Sequence, residues 1–75
     1  MKIRNWQKRL AAQLTIKPVM LGQNAMSINY GYGNQFVVIR DRAKQLYKVI
    51  EGWPLSCPEY VSTCLDLDEV LDRVS

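Results

Sequence analysis

Large apolar residues stand at Ile3, Trp6, Leu10 and Leu14, and that spacing draws a single stripe along a helix. Gln7, Lys8, Arg9, Ala11, Ala12 and Gln13 are good helix formers, and Pro18 ends the helix near Lys17 because the residue before a proline avoids helical geometry. From Ser27 the period falls to two. Ile28, Tyr30 and Tyr32 alternate with Ser27, Asn29 and Gly31, which puts the two tyrosines on one strand face. Gln35 to Arg40 is β-branched and aromatic, and Leu46 to Ile50 reads as a third strand. Gly33-Asn34 supplies a turn between the first two strands, and Asp41 to Lys44 suits a type I turn before the third. Links this short join antiparallel neighbours, so the pattern predicts a meander with Gln35 to Arg40 at its centre. Phe36, Val37, Val38 and Ile39, apolar on both faces, fit that central place.

Pro54 and Pro58 open the next stretch as an irregular connection. Ser56 with Glu59 has capping spacing, which favours a short helical turn there over an edge strand at Tyr60 to Thr63. Asp66 and Glu69 repeat that spacing, and Leu67, Val70, Leu71 and Val74 form a helical stripe, so a terminal helix runs from Leu67 to Val74, with Glu69 and Arg73 ordered as an ion pair. One continuous helix from Cys57 would rotate Asp68 and Asp72 into the stripe of Val61, Cys64 and Leu65, so a break falls near Leu65-Asp66. The expected fold is one α+β domain over residues 1–75: helix, three-stranded antiparallel meander, C-terminal helix, with both helices packed on the sheet.

Composition narrows the function classes. Seventy-five residues leave room for one domain, and 48% apolar with 23% charged is an ordinary globular balance. The longest apolar runs, Phe36 to Ile39 and Leu10 to Ala12, are far short of the roughly 20 residues a membrane helix needs. Asn5, Gln7, Lys8 and Arg9 stand where a secretory signal would place its apolar core, so a cytoplasmic, membrane-independent protein is expected. The net charge of +3 divides unevenly: +6 over residues 1–40, +2 over 41–50 and −5 over 51–75. Such a dipole in sequence suits either a polyanion-facing end or self-complementary pairing of a basic first helix with an acidic last one, as in a homodimer.

The chain has no histidine, which removes Ser-His and Cys-His nucleophile arrangements. Cys57 and Cys64 are too few for a zinc site within one chain and too far apart for a dithiol redox motif, so they read as reduced, partly buried thiols. Asp66, Asp68, Glu69 and Asp72 depart from the calcium-loop pattern, with Leu71 and Val70 where a glycine and a ligand belong, and read as helix-start carboxylates. No enzymatic activity, cofactor or metal is expected. Two binding surfaces remain. Trp53, between Gly52 and Pro54, and the Asp68 and Asp72 carboxylates are candidates for a protein partner. Tyr30, Tyr32, Arg40, Arg42, Lys44, Tyr47 and Lys48 are candidates for nucleic acid, with the tyrosines stacking on bases and the cations meeting phosphates.

As a whole, a helix at Asn5 to Leu14, a meander through Phe36-Val37-Val38-Ile39 and Leu46-Tyr47-Lys48-Val49-Ile50, and a helix at Leu67 to Val74 resembles small phage or mobile-element proteins, including some anti-CRISPR inhibitors. That resemblance implies a non-catalytic regulator or inhibitor that occupies a host or self-encoded protein. The chain is also similar in plan to three-stranded-sheet DNA-binding modules such as the arm-binding domains of phage integrases. In those, basic and aromatic sheet residues enter the major groove, which here would fall to Arg40, Arg42, Lys44, Tyr47 and Lys48.

Overall fold

The computed structural model describes residues 2–52 and 61–75. Its elements are α1 (Asn5–Ala11), β1 (Val19–Met20), β2 (Ala25–Asn29), β3 (Gln35–Asp41), β4 (Leu46–Glu51), β5 (Val61–Cys64) and α2 (Leu67–Val74). The sheet is an antiparallel meander in the order β1-β2-β3-β4-β5. The α+β class and the central place of β3 agree with the sequence pattern. The three-stranded count does not, because a strand is added at each edge. β1 is too short to show a period, and it is held by Leu21 donating its N–H to the Ala25 carbonyl at 3.1 Å across a turn in which Gly22 has φ +116°.

β5 corrects the helical turn expected before Cys64. Val61 and Thr63 are β-branched and alternate with Ser62 and Cys64, and pairing of Cys64 with Tyr47 turns the cysteine into the core. The Ser56 and Glu59 cap expected for that turn lies outside the described residues.

Alternation along the strands separates two faces. Met26, Ile28, Phe36, Val38, Tyr47, Val49 and Cys64 point to one side, where Trp6 and Leu10 of α1 and Leu67, Val70 and Val74 of α2 complete the core. Helices and sheet form two layers, as amphipathic elements must when each has one apolar side to bury. α1 is shorter than its pattern suggests. Ile3 lies outside the helix and is exposed, while Gln13 and Leu14 donate to the Leu10 and Ala11 carbonyls, closing the last turn in the tighter i−3 manner. Thr15 and Ile16, both β-branched, then leave helical geometry before Pro18 is reached.

α2 starts where its carboxylates predict. Asp66 is the N-cap, its Oδ1 accepting the Glu69 N–H at 2.9 Å, and Glu69 Oε2 accepts the Leu65 N–H at 3.3 Å. Glu69 thus reaches back to brace the entry to the helix. The far end of α2 is tied to the sheet by Tyr30, whose hydroxyl donates to the Val74 carbonyl.

Candidate functional site

The hairpin joining β2 to β3 carries the most unusual local geometry in the described residues. Asn34 donates its N–H to the Gly31 carbonyl at 2.9 Å, and the central residues of that turn, Tyr32 and Gly33, have φ +56° and +78°. Positive φ at both central positions defines a type I′ turn, the form whose twist matches paired strands and whose first central place favours asparagine or glycine. A tyrosine there holds a left-handed backbone that costs a residue with a Cβ roughly 1–2 kcal/mol. Its ring is fully exposed, at 108% of the reference area. With Asn29, Gly31, Gly33 and Gln35, Tyr32 lines a shallow open recess of about 360 Å³. Asn29 Oδ1 accepts the Gly31 N–H at 2.8 Å and so stiffens the entry to the turn.

Tyr30 and Tyr32 therefore do not share a face, which corrects the base-stacking pair expected from their alternation. Tyr30 lies on the helix-covered side, edge-on to Phe36 with ring centroids 6.1 Å apart, whereas the chain has already turned at Tyr32. Tyr47 is likewise covered: Trp6 packs edge-on against it at 5.6 Å, and the Arg40 guanidinium lies over its ring at 4.4 Å. Lys48 is on the opposite face of the sheet, paired with Ile39 and Thr63. Arg42 and Lys44 are exposed in the β3–β4 turn, at the other end of β3 from Tyr32. Seven strand residues separate the two turns, roughly 20 Å at strand rise. The seven residues of the nucleic-acid set are thus divided among two faces and two ends.

Of the protein-partner set, Asp68 and Asp72 are exposed one turn apart on α2, clear of its buried stripe. Trp53 lies outside the described residues. Cys64 is buried beneath α2, and desolvation raises its thiol pKa above the ordinary value; the nearby Glu69 carboxylate adds to the rise, Arg73 opposes it, and Asp66 adds a smaller share. A thiol held neutral in this way is a core residue with weak nucleophilicity at neutral pH. Among the described residues, no group of three or more Cys, Asp or Glu side chains is placed to hold a metal ion. No helix among them is long and apolar enough to cross a membrane.

The alternating pattern puts Tyr32 in a strand, and the structure puts it in the turn. The signal for its actual position is present in the two flanking glycines, which permit positive φ on either side of it. Among the described residues, Gln45, with φ +55°, is the other non-glycine residue with positive φ, closing the β3–β4 turn in which Lys44 N–H donates to Asp41 Oδ1 at 3.1 Å.

The fold and its surfaces define a small two-layer α+β protein. Comparison of the chain with protein-family models, curated proteins and solved structures finds no match.

Proposed function

We propose that this protein is a non-catalytic binding module that acts by occupying the surface of a partner protein, with Tyr32 as its leading contact. The observation that carries this reading is the fully exposed ring held in a left-handed backbone at the first central position of a type I′ turn. Local stability is better served there by asparagine, and the phenol makes no packing contribution that offsets its backbone cost. Tyrosine is a residue type that anchors interfaces, because a rigid ring delivers large contact area at little entropic loss and its hydroxyl finds a polar partner. The neutral recess that Tyr32 lines fits such a contact better than it fits a phosphate chain. Asp68 and Asp72 form a separate acidic strip suited to a basic portion of a partner. The resemblance to small phage regulators agrees with this function, although the five-stranded sheet departs from the three-stranded plan on which that resemblance rests.

The test places a photo-reactive phenylalanine analogue at position 32, with the exposed Gln13 as control position. Irradiation in the native cell is expected to yield one protein adduct at position 32 and none at 13. Unlabelled wild-type protein should suppress the adduct, and Tyr32→Ala protein should not. A nucleic-acid adduct would transfer the reading to the alternative partner class, and no adduct at all would reject it.

A further inference from the structure

The side of the sheet away from the helices is apolar in a row broken only by Ser27. Val19 pairs with Ser27, Ser27 with Val37, Val37 with Ile50 and Ile50 with Val61, so the row crosses all five strands. Beside it, Ala25, Ile39, Lys48 and Thr63 form a second row on the same side, with Leu46 and Asp41 beyond. Both helices direct their core residues to the other side, and among the described residues no helix packs on this one. Val37, Ile39, Leu46 and Ile50 are only half-buried, and Val19 and Val61 are 61% and 39% exposed. Apolar side chains that reach solvent together on one side, rather than singly, mark an interaction surface.

We infer that this face is closed by a second copy of the chain, two sheets stacking face to face about a two-fold axis. Three properties favour that occupant. A two-fold places the same patch against itself, and this patch is self-complementary in charge: Lys48 and Asp41 lie on it with opposite signs and can meet each other's counterparts. The remaining charges on the helices, basic on α1 and acidic on α2, stay on the outer sides of such a pair, so like-charged helices are kept apart. Size also permits it: the two larger extents of the molecule, 28 and 26 Å, set an upper limit of roughly 700 Å² on any one side, and stable interfaces use about 600 to 1,000 Å² per partner. Flat β-branched faces stack at about 10 Å with interdigitating side chains, which Val37, Ile39 and Ile50 can supply. This arrangement differs from pairing of basic and acidic helices, which charge alone suggested.

Sedimentation equilibrium on the full chain, from micromolar to submillimolar concentration, tests the inference. The expected result is reversible association to twice the 8.7 kDa chain mass. Ile39→Lys should weaken association at least about ten-fold with the circular dichroism spectrum unchanged, because each copy would then bring an additional buried cation to the interface. Ser27→Lys, at a position already polar, serves the same purpose if Ile39→Lys does not fold. Lys8→Glu on the outer side of α1 should leave association unaltered. A monomer at every concentration overturns the inference. So does a dimer that survives the folded lysine variants or is lost in Lys8→Glu. Because cross-linking at position 32 reads a different surface, failure here leaves the Tyr32 reading standing, and the reverse also holds.

Discussion

The side-chain amide of Gln7 donates to the main-chain carbonyl of Gly22 at 2.7 Å, clamping α1 onto the turn between β1 and β2. The same Nε2 donates to the Ala25 carbonyl at 3.0 Å, and Oε1 accepts the Arg4 N–H at 2.9 Å, so a side chain with no exposed area has its polar atoms satisfied. Nearby, Trp6 Nε1 donates to the Gln23 carbonyl at 3.2 Å, and Arg4 donates to the Gln23 side chain at 2.9 Å. Edge strand β1 has two residues, and this set of bonds does much to keep its turn in place.

Replacing Gln7 by leucine keeps the volume but leaves the Gly22 carbonyl without its donor and the Arg4 N–H without its acceptor, while the Ala25 carbonyl keeps the Leu21 N–H. Each buried group left unpaired costs about 1–3 kcal/mol, so Gln7→Leu is expected to lose roughly 2–4 kcal/mol. Urea unfolding at neutral pH measures it. A loss under about 1 kcal/mol would mean that water replaces the amide and that the clamp is not structural.

Tyr32→Asn should stabilise the fold by about 1 kcal/mol, since asparagine is the residue the left-handed position favours. Read by thermal unfolding, the midpoint should rise by several degrees in a chain of this size. The same substitution is expected to abolish partner binding. A more stable protein that no longer binds is the signature of a residue kept for recognition, and a stability loss would show that the ring packs on something the fold needs.

For Cys64 the direction of the pKa shift sets the sign of a pH effect. Its pKa is raised in the folded state by burial, with Glu69 adding to the rise. The folded state therefore holds the thiol proton more tightly than the unfolded chain, whose thiol titrates near about 8.5. The stability this contributes is fully present below that value and is lost as pH rises through the higher folded-state value. In a Cys57→Ser background, alkylation of Cys64 should be slow at neutral pH and should accelerate under denaturant. Rapid labelling of the native protein at neutral pH would contradict the burial.

How much of the fold is legible along the chain follows from the range of the forces involved. α2 can be read to its end residues, because Asp66, Glu69 and the stripe at Leu67, Val70 and Val74 are signals within two helical turns. β3 and β4 can be read for the same reason, since period and turn chemistry are local. β5 escapes such a reading because Val61 to Cys64 becomes a strand through pairing with Tyr47 to Ile50, a partnership between residues distant along the chain. Gln7 passes for an ordinary helix former, and nothing near it in sequence announces the carbonyls of Gly22 and Ala25.

The amino-acid order alone determined the α+β class, the antiparallel hairpins around β3, and the two helical stripes, all consequences of periodicity and of capping or turn residues a few positions apart. Tertiary structure decided which residues share a surface. It sent Tyr30 under α2 and Tyr32 into solvent, laid Arg40 over Tyr47, and put Lys48 on the far face among valines and isoleucines. Side-chain direction in a sheet reverses with each residue and changes again at a turn of positive φ, so a surface is a product of register and packing between remote segments.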